Sequence, residues 1–375
     1  MSMNPTPKPS AQHPAVPPSL FGLARSNRDF EDKDAWGKNQ FNSSFPASLA
    51  CYMHAKGVNP VCLSADKAAK VVQSEVAVQT LFGIDPLSPN AFFSFETPFN
   101  PFADLVVGHL PRVDLVVIDH ASSTKTNFCG LEIKLTAIPD STTCYAAADN
   151  YGCELVVRPD TIVYLALAIC ARMRTRQNQM ASALGTLWAK TADWNDATKV
   201  GPLVPEVVDT VWKLVSTDID NQRPLLLQPI WKTLGKSAVL APDCFDMFVW
   251  TDLALMLLAF DSCRKTASVK AISRHERTAV WIMAMLHEFA VKGKVHHERV
   301  IDEITLNNKN DKAFASAGAK TLPYMRGPTL TRPRMSKNIV KDLILGHGEQ
   351  FLSPERRLDA AILGTPGLFD TGAIG

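Results

Sequence analysis

The chain of 375 residues lacks any apolar run able to cross a bilayer. Its longest apolar stretch, 245–260, is interrupted by Asp246 and Asp252 and falls short of the ~20 residues a spanning helix needs, so it is expected to be a buried helix. Neither sign of charge dominates: the net charge is +2, and a nucleic-acid surface would have to come from local clustering. The eight cysteines contain no C-x-x-C pair. The N-terminus has no apolar h-region of the kind a signal peptide carries. These absences lead to the expectation of a cytoplasmic protein with reduced, mostly buried thiols, no structural zinc and no membrane partner.

Several catalytic signatures are also missing. His287-Glu288 begins a metalloprotease-like H-E pair, but Val291 occupies the position of the second histidine. Nothing around His296-His297-Glu298 supplies the strand–helix junction of an HNH nuclease. No G-x-S-x-G elbow occurs, and Gly346-His347-Gly348 lacks the setting of a phosphate loop. There is no internal repeat.

What is present divides into three segments. Residues 1–19 carry Pro5, Pro7, Pro9, Pro14, Pro17 and Pro18 and predict a disordered or extended tail. Residues 20–200 predict an α/β core. A helix over 64–82 is expected from the Ser64 N-cap and the stripe Ala68, Val71, Val72, Val78 and Phe82, with Glu75 lying inside that stripe. Strands are expected at 103–108, 113–119, 128–135 and 154–158, then a helix over 160–180 capped by Asp160 and ending among Arg172, Arg174 and Arg176. This order fits a central mixed sheet flanked by helices. Residues 201–375 predict a largely helical half packed on the core as one unit. There Ser273 and Glu276 match a capping box, and Gly293 closes the helix that follows. Residues 305–341 are rich in Asn, Lys and Arg, which address bases and phosphates in DNA-binding proteins but also make ordinary solvated surface.

One constellation carries chemistry. Asp114 sits at the head of the apolar run Leu115-Val116-Val117-Ile118, and Glu132-Ile133-Lys134 lies in the next such run. With a side-chain period of two, Glu132 and Lys134 share a face and Ile133 points away. If the runs pair, two carboxylates and an ammonium converge at a sheet edge. Asp114, Glu132 and the carbonyl of Ile133 could then hold Mg²⁺, and Lys134 could position or deprotonate a water. Exposed cross-strand pairs make E-x-K nearly worthless alone; the apolar setting argues for a buried sheet.

Asp114 followed by Glu132-Ile133-Lys134 resembles the PD-(D/E)xK signature of the restriction-endonuclease-like nucleases, with Val113 where many members have proline. Longer blocks resemble the HindVP-type type II restriction endonucleases: 21–23 (FGL), 26–28 (SNR), 36–46 (WGKNQFNSSFP), 130–140 (GLEIKLTAIPD), 310–315 (NDKAFA) and 352–357 (LSPERR). The resemblance runs from about residue 20 to the C-terminus. It implies a restriction-endonuclease-like core and a Mg²⁺-dependent restriction-modification enzyme cutting double-stranded DNA at the palindrome GRCGYC. It carries Asp114, Glu132 and Lys134 onto catalytic roles, and Glu75 onto the helix carboxylate that some such nucleases keep near the metal. Asp104 is read as a salt-bridge partner rather than a metal neighbour.

A palindrome is most simply read by a two-fold homodimer. Candidates for DNA contact are Lys38, Asn39, Gln40 and Asn42, and Lys309, Asn310, Lys312, Arg332 and Arg334. Two other readings stay open: a structure-specific repair or junction nuclease, and a non-catalytic DNA-binding protein.

Overall fold

The computed structural model describes residues 35–36, 45–119, 126–133, 154–222, 225–226, 232–234, 237–239, 248–249, 253–263, 271–317 and 350, with 35–36, 45–46, 49, 61, 95–96, 126–128, 131–133, 154–156, 225–226, 232–234, 237–239, 248–249 and 316–317 described by backbone alone. In chain order the first elements are β1 (Ala35–Trp36), α1 (Phe45–Ala55), β2 (Val61–Ala65), β3 (Val71–Glu75), α2 (Val78–Phe82) and β4 (Ala91–Thr97). Then come β5 (Val113–Asp119), β6 (Thr126–Ile133), β7 (Glu154–Val157), α3 (Pro159–Arg172), α4 (Gln177–Trp188), α5 (Ala197–Val200) and α6 (Val204–Val215). The last are β8 (Leu225–Leu226), β9 (Lys232–Leu234), β10 (Ser237–Val239), β11 (Phe248–Val249), α7 (Leu253–Phe260), α8 (Arg274–Lys292), α9 (His297–Glu303) and β12 (Phe314–Ala317).

The α/β class holds, but the expected single mixed sheet does not. The described strands form four small sheets, ordered β1-β10-β9, β11-β6-β5-β4, β12-β7 and β3-β2-β8. Every pairing among them is antiparallel. In the four-stranded sheet, β4, β5 and β6 are laid down in sequence order as a meander, which makes neighbours antiparallel. The half beyond residue 200 carries long helices as expected, with five short strands set between them.

Local chemistry explains where the other expectations fail. Instead of one helix over 64–82, β2 and β3 form a hairpin, paired from Val61↔Glu75 to Ala65↔Val71, followed by the short α2. The Asp66 carboxylate accepts from the Lys70 amide at 2.8 Å, and Ala69 takes the left-handed φ of 58° that closes the turn. That turn reverses the chain where a helix would have to run on. At 103–108 there is no strand; Pro101 opens a 3-10 helix, Asn100–Leu105, because its fixed φ suits a helical first turn. The helix over 160–180 is broken after Arg172. Arg158 is its cap residue, Pro159 opens its first turn, and Asp160 lies within that turn rather than capping it.

The core gathers around α8, which packs against α3, α4, α6, α7 and α9. Its ends are those read from sequence. Ser273 and Glu276 form the reciprocal capping box, and Gly293 closes the helix at φ 74°. Every residue of α7 is buried, as expected for the apolar stretch that contains it. Five cysteines, Cys51, Cys62, Cys129, Cys170 and Cys263, are buried and in the thiol form. Burial raises the Cys62 thiol to about 12 and pushes Cys170 up as well. No described helix is long and apolar enough to cross a membrane.

Candidate active site

β5 forms because Leu115 and Val117, both fully buried, drive one face of an apolar run into the main core. Val116 faces the other way and joins a smaller cluster with Phe99, Val113 and Tyr164. On β6, Leu131 pairs with Leu115, Gly130 with Val116 and Cys129 with Val117. One step further along this ladder sets Asp114 opposite Glu132. On the other side of β5, the pairs Phe95↔Leu115 and Thr97↔Val113 bracket Asp114 opposite Glu96. Directly opposed residues of antiparallel strands share a face. Glu96, Asp114 and Glu132 therefore occupy one row across three strands, and Val249 on β11 ends that row beyond Glu132.

Sequence reasoning found two of these three positions. Glu96 was missed because its row depends on the register of β4 against β5. The available signal was the alternation Phe93, Ser94, Phe95, Glu96, which puts Glu96 on the face opposite the buried Phe93. A row of this composition could hold a cation. Its donors are carboxylate oxygens, which suit a hard cation such as Mg²⁺ better than zinc. Asp114 is half-buried, partly shielded from water and still reachable. Among the described side chains no three His, Cys, Asp or Glu converge on one point. Ile133 pairs with Phe248, and Lys134 lies outside the described residues.

The strands are held in place from α3. The buried Tyr164 hydroxyl donates to the Pro111 carbonyl at 2.5 Å and accepts from the Phe99 amide at 3.0 Å. One side chain thus ties the exit of β4 to the entrance of β5. Gly130 lies two positions before Glu132 on the same face. A Cβ there would meet the Phe99 ring and Val113 at 3.5 Å, ordinary contact distance. The row therefore borders an apolar patch of Phe99, Val116 and Tyr164.

The remaining candidates separate. Glu75 ends β3, in the sheet of β2 and β8, so the helical setting assumed for it is replaced by an exposed strand in another sheet. Asp104 is a salt-bridge partner as expected, though on the 3-10 helix rather than a strand. Arg174 Nη2 reaches both its oxygens at 2.7 Å. Arg172 and Arg176 pair with Asp218 at 3.7 and 3.0 Å.

Asn310 is engaged inside the protein. Its Oδ1 accepts from Arg277 at 2.9 Å and its Nδ2 donates to the Ile301 carbonyl at 3.0 Å. Lys309 is exposed and Lys312 half-buried. Lys38, Asn39, Gln40, Asn42, Arg332 and Arg334 lie outside the described residues.

A cavity of about 670 Å³ lies by the His287-Glu288 pair set aside above. His287 stacks on Trp188 at 4.7 Å, and Trp188 on Trp194 at 5.1 Å, so both faces of Trp188 are already covered. The Glu288 carboxylate receives Lys292 at 3.0 Å, Arg299 at 2.6 Å and the His296 amide at 3.0 Å. Burial pushes this carboxyl up, but those three hydrogen bonds outweigh it and hold it below its ordinary value. These groups satisfy one another and make a structural cluster.

The family model described as HindVP restriction endonuclease matches residues 36–369. The type II restriction enzyme HgiDI of Herpetosiphon aurantiacus is 44% identical over 353 residues, covering 94% of this chain and 97% of its own length. The probable type II restriction enzyme HindVP of Haemophilus influenzae (strain ATCC 51907 / DSM 11121 / KW20 / Rd) is 39% identical over 355 residues, covering 94% and 96%. No solved structure matches the chain. The breadth of these matches, over nearly the whole sequence, assigns this chain to the HindVP restriction endonuclease family.

Proposed function

We propose that the chain is a type II restriction endonuclease. It hydrolyses phosphodiester bonds of double-stranded DNA at the short palindrome GRCGYC, by a Mg²⁺-dependent PD-(D/E)xK mechanism, as a two-fold homodimer in the cytoplasm. The observation that carries this reading is the β5–β6 ladder, whose continuation sets Asp114 across from Glu132. The E-x-K spacing gives Lys134 the face of Glu132 in an extended strand.

In this reading Asp114, Glu132 and the Ile133 carbonyl hold the cation. Bound Mg²⁺ would neutralise the scissile phosphate and lower the pKa of water. Lys134 hydrogen-bonds the attacking water, orients it toward phosphorus, and offsets charge gathering on the phosphoryl oxygens. Glu75 has no part in this arrangement. Lys309, Lys312, Arg332, Arg334, Lys38, Asn39, Gln40 and Asn42 are the proposed DNA contacts, with guanines read by paired donors and the purine–pyrimidine positions through the shared purine N7.

Digestion of plasmid DNA with Mg²⁺, followed by sequencing of the fragment ends, tests the proposal. Discrete fragments ending within GRCGYC are expected. Cutting confined to branched or damaged DNA would instead support a junction nuclease. Asp114→Asn, Glu132→Gln and Lys134→Met should each lower the cleavage rate by about 10²–10⁴-fold with DNA binding retained. Unchanged cleavage by all three would end the reading.

A further inference from the structure

Arg277 on α8 is fully buried, yet no carboxylate pairs with it among the described residues. The nearby Asp311 is taken by Arg274 at 3.0 Å. The guanidinium is spent on one short segment. Its Nη1 donates to the Lys309 carbonyl at 2.8 Å and to Asn310 Oδ1 at 2.9 Å, and its Nη2 donates to the Lys312 carbonyl at 2.5 Å. Its plane lies 4.2 Å over the ring of Trp281, one turn along α8. Burial lowers its pKa to about 10, which leaves it charged at neutral pH. Lysine would not reproduce this fork, because its compact ammonium lacks the planar, spread donors of a guanidinium.

The segment is fixed from its other side as well. Trp281 Nε1 donates to the Ile304 carbonyl at 2.7 Å. Asn195 Oδ1 accepts from the amides of Thr305 and Leu306 at 2.9 and 2.8 Å. Asn308 donates to the Ile272 carbonyl at 2.8 Å, and Thr278 to the Ala313 carbonyl at 2.9 Å. Leu306 and Asn307 are held at φ 49° and 62°, a conformation that persists only where surrounding structure over-determines it. The inward side of the loop is thus wholly committed, while Asn307 and Lys309 face solvent and Lys312 is half-exposed.

The same segment is coupled to the strands of the active site. The Ala313 amide donates to the Val157 carbonyl at 2.8 Å, and β12 pairs with β7 directly ahead of α3. From α3, Tyr164 grips the ends of β4 and β5.

Building on the endonuclease reading, we infer that Arg277 is a positioning residue for the loop 305–312, which grips the phosphate backbone of duplex DNA through Lys309 and Lys312. Arg277 itself never touches the DNA. It fixes where two ammonium groups meet the duplex relative to Asp114, and Asn310 serves as its acceptor rather than as a reader of bases.

The test is binding of the full-length chain to a short fluorescent DNA duplex, without divalent metal, across a salt series. Lys309→Ala and Lys312→Ala should each reduce the slope of log affinity against log salt by about 1.8, the loss of one phosphate contact from each subunit of the homodimer. Arg277→Lys keeps the formal charge, yet should cut the slope by nearly as much as both lysine changes together, and should raise KM for plasmid cleavage with kcat unchanged. Wild-type slopes in both lysine variants, or in a folded Arg277→Lys, would overturn the inference. Should Arg277→Lys fail to fold, wild-type slopes at Lys309 and Lys312 would still overturn the inference. Plasmid cleavage by the unaltered chain is scored separately: its absence would count against the endonuclease reading, whereas the slopes bear on the loop.

Discussion

At the scale of single residues, the proposed site rests on side chains outside the row of acids. Tyr164 uses its hydroxyl twice, toward Pro111 and toward Phe99, and so sets how β4 and β5 meet. Tyr164→Phe keeps the ring and removes both bonds. A buried amide left without that partner should cost about 1–3 kcal/mol, read as a lower denaturant midpoint, and cleavage should slow while DNA affinity holds. An unchanged midpoint would show that the hydroxyl merely fills space. Asp114 and Glu132 were legible because their spacing and apolar flanks lie within adjoining runs. Glu96 was not, since nothing local to Ser94-Phe95-Glu96 announces its register with β5. Nor were the partners of Asn310 legible: an asparagine in a basic run looks like a base reader, and its bond to Arg277, distant in sequence, shows only in the fold.

At the scale of elements, legibility follows how local the deciding chemistry is. The α8 termini were read correctly because a capping box and a left-handed glycine need only their immediate neighbours. Ser273→Ala should therefore destabilise the protein by about 1 kcal/mol, with an unaltered dependence of stability on urea. A wild-type midpoint would mean that tertiary packing alone secures that end of the helix. The 61–82 segment went the other way. Val71, Val72 and Val78 satisfy a helical stripe on paper, but β-branched residues also suit a strand, and the Asp66 turn decides between the two. β5 was placed residue for residue because its alternation and its apolarity agree.

At the scale of the molecule, acid should unfold the protein in two stages. Burial lowers the pKa of His275 and His287, so the unfolded chain binds protons that the folded rings refuse. Their contribution is present above about pH 6.5 and fades below it. The Glu288 carboxyl is depressed in the folded state by Lys292, the His296 amide and Arg299, despite its burial. Its contribution is present above the ordinary carboxylate range and is lost as pH falls through the depressed value. Thermal midpoints measured from neutral pH downward should fall gently at first and then steeply. His287→Phe should flatten the first decline and Glu288→Gln the second. Identical profiles for all three proteins would contradict this assignment.

Each of the four sheets takes at least one strand from beyond residue 200: β8 beside β2, β10 beside β1, β11 beside β6 and β12 beside β7. During synthesis, Asp114 and Glu132 leave the ribosome long before the strand that flanks Glu132 exists. Until β11 emerges, β6 has an open edge, and the row of acids has no finished frame around it. A chain that stops before β11 thus carries Asp114 and Glu132 without the strand bordering Glu132, so the sheet around them is completed only from the later part of the polypeptide.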